Sequence, residues 1–392
     1  MFNPVRNDHR IQDFGKSRGL ALLIMLAIIL VAFTTVAISR LSVNSLSQKK
    51  NATTTQTLIQ TREAILAFTL TQATRGLLPC PDGDGDGFSD PVIANICPNR
   101  RGLVPFASLN IPQPLDATGA PIWYVISTQY SGTPAGVFNS SIPISTLMLN
   151  QPMAFILLAP NVPFSNQARL TTLPLQAVAA QFLEGENADS SLDDVYTDVL
   201  DDTRNDQVLG VSVGLYWATI ESHVLREVGL VINDYRTRCN VYPWPALYAP
   251  FDVNNSDNPP PPAPRVFEGR VPLNIAAPFT WGQACPPNIA PAAPPGWIFT
   301  HWGNMIYYAI CRQPTLVNPP ANRCLQLGGG IFAEAILIAP GAQLAAQDRA
   351  IGPVVTTDYF EAQNASTLDN TFIQTKLSSH TVNFNDLIYI IR

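Results

Sequence analysis

The sequence predicts an α+β protein: an N-terminal transmembrane helix that extends into a head of two tandem helix-plus-antiparallel-sheet units. Three observations carry this expectation. An uncharged apolar run near the N-terminus is as long as a bilayer core is thick. A collinear internal repeat covers most of the chain beyond that run. Short β-branched and aromatic runs bounded by turn residues recur in the same order in both halves.

A chain of 392 residues has room for two domains with real cores. Hydrophobic residues make up 46%, as in a folded protein, while charged residues reach only 13% and prolines number 35. That balance points to an exported, loop-rich chain. The net charge of −6 and the lack of a dense Lys/Arg cluster argue against nucleic-acid binding. Six cysteines form an even set, as a disulfide framework in an oxidising compartment would.

Residues 1–19 form a basic leader carrying Arg6, Arg10, Lys16 and Arg18. Leu20–Ile38 comes next without a charged residue, and at 1.5 Å per residue it reaches about 28 Å, a bilayer core. Basic residues ahead of the run place the N-terminus in the cytoplasm and the remainder in the periplasm, as in a single-pass inner-membrane protein. The run exceeds a signal-peptide h-region and lacks an A-x-A site, which favours a retained anchor. From Ser39 to Thr74 there is neither Gly nor Pro. Leu58, Ile65, Leu66 and Leu70 recur there at helical spacing, so residues 39–76 read as a periplasmic extension of the helix, stopping near Gly76 and Pro79.

A basic leader ending in "GKSRG", with the apolar helix directly after it, resembles the type IV pilin and pseudopilin superfamily. The resemblance implies cleavage by a prepilin peptidase between Gly19 and Leu20, and assembly with other pilin or pseudopilin subunits. Leu20 stands where the family usually has Phe, and Ile24 where it usually has Glu. Loss of that glutamate is a trait of minor, initiating subunits, because a subunit at the tip has none ahead of it to pair with. "LLPCP", "RGLVPFASLNIP" and "DATGAPIWYVIS" also resemble the opening of pseudopilin-like heads.

The repeat extends residue by residue. Arg62-Glu63 matches Arg226-Glu227, and Pro79 with Pro81 matches Pro243 with Pro245, at one offset. Gly119, Ile122, Tyr124 and Ile126 match Gly303, Ile306, Tyr308 and Ile310 at another. Pro160, Gln167 and Arg169 match Pro340, Gln347 and Arg349, and Glu184 with Asn187 matches Glu361 with Asn364. The order never breaks, and the offset moves where proline-rich loops differ in length. The first pilin-like head is thus expected at 77–212 and the second at 213–392, opening with a helix over 213–235. Strands are expected at "PIWYVI", "AFILLAP" and "QVLGVSV", and again at "MIYYAI", "AEAILIA" and "DLIYIIR". The Pro-rich stretch 254–269 reads as a surface loop.

Asp82, Asp84, Asp86 and Gly87 reproduce the opening of a calcium loop, with Asp90 at its ninth position. Alternating carboxylates on a tight turn can converge on one hard cation, here Ca2+. Ile93 replaces the bidentate Glu of an EF-hand, which leaves a non-EF calcium loop or a solvated Gly/Asp turn as the two readings. The second repeat keeps only Asp252, so a site of this kind belongs to the first repeat alone. Cys80 and Cys97 bracket the turn, and a bridge between them would close it. Pairing Cys239 with Cys285 would reproduce that bridge in the second repeat and leave Cys311 with Cys324, although six cysteines keep other pairings open. The absence of C-x-x-C and H-x-x-x-H spacing disfavours zinc and redox chemistry.

His9, His223, His301 and His380 are isolated in sequence, and no G-x-S-x-G elbow supports a hydrolase triad. Glu184/Asn187 and Glu361/Asn364, with Asp193/Asp194 and Asp369 nearby, are expected in a fold-level role because they recur in both copies. The expected function is non-enzymatic: a minor pilin or pseudopilin subunit, anchored in the membrane, that initiates, caps or decorates a type IV pilus or type II secretion filament. The competing expectation is a standalone membrane-anchored, adhesin-like binding protein.

Overall fold

A computed structural model of the chain describes residues 17–392 except 73–74, 95, 128–129, 131–146, 149–150, 170–174, 190–193, 241, 244, 247–266, 272–295, 299–301, 303–304, 312–324, 329, 345–346, 348, 350–355, 366–370 and 374–384. For 17–22, 34–45, 147 and 175–177 the backbone alone is described. Two compact units result, Met1–Thr55 and Gln56–Arg392, so both expected heads fall within one unit.

The first helix, α1, covers Ser17–Thr71, uninterrupted by Pro and with Gly only at its first turn. Among the described residues no helix is long and apolar enough to cross a membrane. The expectation of a transmembrane helix at 20–38 is corrected accordingly. With it go the single-pass inner-membrane placement, the cytoplasmic N-terminus and the periplasmic heads. The side chains from Leu23 to Phe33 are exposed along this helix. Beyond Leu46 the helix is polar, through Ser47, Gln48, Lys49 and Lys50. Its last turns bury Leu58, Ile65 and Leu66 in the core of the second unit.

Six strands build the first sheet: β1 (Arg101–Leu103), β2 (Trp123–Ile126), β3 (Leu147–Met148), β4 (Gln151–Ala159), β5 (Val195–Tyr196) and β6 (Gln207–Ser212). Its main path is β1-β2-β4-β6, all antiparallel. The start of β4 pairs with β3, which lies parallel to β5. The second repeat contributes β7 (Glu268–Arg270), β8 (Tyr307–Ile310), β9 (Leu325–Leu327), β10 (Ile331–Ala333), β11 (Ala335–Ala339), β12 (Thr371–Phe372) and β13 (Leu387–Ile391). Here the path is β7-β8-β11-β13, again antiparallel, and β9 pairs antiparallel with β10 and parallel with β12. The two halves share one topology down to the registers: Leu157 sits between Tyr124 and Leu209, as Leu337 sits between Tyr308 and Tyr389. A bulge between Met153 and Phe155 recurs as Glu334, which separates β10 from β11.

Both faces of each sheet are covered, which explains the unbroken apolar runs of β4 and β11. Side chains alternate with period two. Tyr124, Ile126 and Leu157 join Tyr308, Leu337 and Ile391 in one core shared by both repeats and the helices. On the opposite faces, Trp123, Val125 and Leu158 pack on Val178, Phe182 and Leu183, and Tyr307, Ile336 and Ile338 pack on Phe360 and Phe372.

The second helix, α2 (Val213–Cys239), starts directly after β6. Ser212 caps it by accepting the N–H of Leu215 at 3.3 Å, and Asn240 ends it in the left-handed conformation that Asn tolerates (φ 57°). Val213, Trp217, Ile220, Val224, Val228 and Ile232 are buried in the shared core. Gly229 is required where Tyr389 crosses the helix: a Cβ there would lie 2.4 Å from its ring.

Candidate functional site

The acidic turn is held from three sides. Cys80 and Cys97 are joined by a disulfide with a Cα–Cα distance of 5.4 Å. Asp82 and Leu103 exchange backbone hydrogen bonds of 3.0 and 2.8 Å, fixing the turn to β1. The buried Asp82 carboxylate accepts the N–H groups of Gly85 and Gly87 at 2.6 and 2.7 Å. Gly85 and Gly87 take φ of 81° and 88°, which a side chain would resist. A Cβ on Gly87 would also lie 2.6 Å from the Phe106 ring. Burial raises the Asp82 pKa, with the Asp86 and Asp84 charges adding to it, while the Gly87 and Gly85 N–H groups act against the rise.

Asp82, Asp84 and Asp86 each offer an oxygen, and these atoms lie within 4.8 Å of one another. Asp84 and Asp86 are exposed and accept the N–H groups of Asp86 and Phe88 at 3.2 and 2.7 Å. Asp90 stands outside this group, its carboxylate accepting Asn99 Nδ2 at 3.0 Å. With one oxygen from each, the three carboxylates supply three of the six to eight oxygens that calcium takes, so carbonyls or water would complete the shell.

Cys239 and Cys311 each take part in a disulfide; Cys285 and Cys324 lie outside the described residues, and the pairings expected for them lie there too. Gly19 and Leu20 fall inside α1. His223 Nε2 lies 2.6 Å from Glu227 Oε1, and Glu227 faces Arg75 at 3.6 Å, a helix-surface ion cluster. His9, His301 and His380 lie outside the described residues.

The recurring Glu/Asn pairs form one polar node per repeat. In the first, Gln167 Nε2 donates to Glu184 Oε1 at 2.8 Å, and Gln167 Oε1 accepts the N–H of Phe164 at 3.0 Å. Glu184 Oε2 accepts the N–H of Asn205 at 3.1 Å. Asp206 Oδ2 accepts the Glu184 N–H at 3.0 Å and Asn187 Nδ2 at 3.1 Å. Asn187 pins the chain just after β5 through the N–H and C=O of Thr197, at 3.0 and 3.1 Å.

Each of these bonds has its counterpart in the second repeat. Gln347 donates to Glu361 at 2.5 Å, and Glu361 Oε2 accepts the Asn385 N–H at 3.0 Å. Asp386 Oδ2 accepts the Glu361 N–H at 3.1 Å and Asn364 Nδ2 at 3.0 Å. Asn364 pins the chain just after β12 through Ile373 at 2.8 and 3.1 Å. Arg169 and Arg349 each donate to two successive carbonyls, Pro160–Asn161 and Pro340–Gly341. Each node ties the loop after the central strand, a 3-10 turn and the entry to the last strand together.

Asp206 and Asp386 join Glu184 and Glu361 as the acids of these nodes, at positions the sequence expectation does not single out. Asp194 instead pairs with Arg100, and Asp193 and Asp369 lie outside the described residues. A signal for the true members is present: Asn205-Asp206 and Asn385-Asp386 both stand directly before a final apolar strand. Comparison with protein-family models, with curated proteins and with solved structures finds no match to this chain.

Proposed function

We propose that the chain is a non-enzymatic, pilin-like structural subunit, whose long helix packs against helices of other subunits while the twin-repeat body serves as its head. The observation that carries this reading is the exposed apolar surface of α1. Leu26, Ile29, Leu30 and Phe33 stand 56–76% exposed, along a helix continuous in sequence with the head. A helix that is apolar all round is stable in water only when other apolar surface covers it, and like helices of an assembly would supply that cover. The nodes further favour a structural role, because Glu184, Asn187, Glu361 and Asn364 each bond a backbone group of the fold. The acidic turn is the candidate calcium ligand of the first repeat.

A photo-crosslinking residue in place of Ala27 tests the reading in cells that make the whole assembly. Adducts joining this position to the helix of another subunit are expected. A chain that yields only uncrosslinked monomer would overturn the proposal.

A further inference from the structure

Each node contains two acids where hydrogen bonding accounts for only part of their oxygens. Asp206 Oδ1 and Asp386 Oδ1 are buried and accept no N–H, in both repeats alike. Asp206 Oδ2 takes the Glu184 N–H while Glu184 Oε2 takes the N–H of Asn205, the residue before Asp206, so the two carboxyls are held side by side; Asp386, Glu361 and Asn385 repeat the arrangement. Asp206 is 2% exposed, Asp386 is fully buried, and Glu184 and Glu361 are buried beside them. Two carboxylates this close, out of water, cannot both stay ionised, whereas one proton turns their repulsion into a hydrogen bond.

The surroundings supply limited positive charge. In the first repeat Arg169 faces Glu184 and Asp206 but also Asp116, whose oxygens accept the N–H groups of Thr118, Ala120 and Asn161. Arg204 reaches Gly185 from the surface, with its guanidinium on Asp201. In the second repeat Arg349 faces Glu361 and Asp386 but also Glu221 of α2 and Tyr359. Arg169 thus stands among three acids in the first repeat and Arg349 among three in the second, while the buried Arg101 turns to the carbonyls of Asn187 and Asp189 at 3.2 and 2.7 Å.

We propose that Glu184 with Asp206, and Glu361 with Asp386, each hold one shared proton at neutral pH and so form a proton-closed latch in each repeat. The proton sits on aspartate Oδ1 and is donated to the glutamate carboxylate. Alkali removes it as water, leaving two carboxylates that repel, and the three segments tied at the node separate. The direction of the shifts agrees: burial first, then the neighbouring glutamate, pushes both aspartates far above the ordinary range.

The test uses the intact chain carrying Glu221→Gln, so that a third buried acid does not contribute. Above the ordinary aspartate range the folded state should hold protons that the unfolded state has lost, on Asp206 up to about 8 and on Asp386 likewise well above that range, so the urea midpoint should fall as pH rises. In Asp206→Asn/Asp386→Asn, where an amide donates in place of the proton, that fall should largely vanish. An equal fall with and without the asparagines would overturn the latch. Infrared spectroscopy gives an answer even if the variant fails to fold. The Glu221→Gln chain should show a protonated-carboxylic-acid carbonyl band at pH 7, and its absence would also overturn the proposal.

Discussion

Glu221 Oε1 of α2 accepts the backbone N–H of Gly341 at 2.8 Å, closing in the second repeat the turn that Asp116 closes in the first by accepting from Asn161 at 2.7 Å. The two turns occupy equivalent places after β11 and β4. Their N–H groups are satisfied by carboxylates from different elements, a helix in one repeat and the β1–β2 loop in the other. The substitution of partner makes α2 a structural member of the second head's loop end.

Glu221 is fully buried, and burial pushes its carboxyl up to about 8, against the pull of Arg349 and of the Gly341 N–H. A folded pKa above the unfolded one means that the folded state holds the proton longer. The stabilisation is complete below about pH 4.5 and is lost as pH rises towards about 8. Glu221→Gln should remove this dependence at a cost of about 1 kcal/mol or less at neutral pH. Glu221→Ala, which leaves a cavity and strands the Gly341 N–H, should cost about 2–4 kcal/mol. Urea unfolding at several pH values checks both.

Tyr124 Oη donates to Pro79 O at 3.3 Å and Tyr308 Oη to Pro243 O at 3.0 Å, both from fully buried rings. Tyr→Phe at either place should cost about 1–2 kcal/mol, since each strands a buried carbonyl. The two losses should add within about 0.5 kcal/mol, as the sites share no partner. Thermal unfolding of the single and double variants decides this.

The Cys80–Cys97 bridge closes a segment with a sequence separation of 17. Replacing both by Ser should lower stability by about 3 kcal/mol. The acidic turn should lose its ordered N–H groups first, read by faster hydrogen exchange at Gly85 and Gly87 than in the core strands.

Added calcium should raise the melting temperature of the intact chain by a few degrees at about ten times its dissociation constant, since a ligand of the folded state stabilises it. Asp84→Ala/Asp86→Ala should abolish the rise while leaving Asp82 to hold Gly85 and Gly87. An unchanged melting temperature in the parent chain would leave the turn as a hydrogen-bonded fold element.

The repeat is legible in the sequence because its marks are residues with few substitutes. Pro79 and Pro243 place a carbonyl under a buried tyrosine. Gln167, Arg169, Glu184 and Asn187, with their counterparts, each answer a specific backbone group. The acids at 206 and 386 carry only the mark of an Asn before them and an apolar strand after them; Asp is common in turns, and packing reveals which Asp is buried. The membrane-spanning expectation at 20–38 rests on counting apolar residues in a row, whereas among the described residues no helix is long and apolar enough to cross a membrane. Partner exchange at Gly341 is invisible in sequence, since Asp116 and Glu221 lie on opposite sides of the repeat boundary.

The junction at Ser212 and Val213 has no slack. Strand β6 ends where α2 begins, and Tyr216 and Trp217 of that helix bond back to the first repeat, at Gly76 O (2.5 Å) and Tyr130 Oη (2.8 Å). A boundary drawn by sequence similarity therefore cuts through a shared core. A fragment ending at residue 212 would expose the face on which α2 lies, and a spacer inserted there would pull Trp217 off Tyr130. The duplicated halves are inseparable as folding entities, and each inherits the other's mutations.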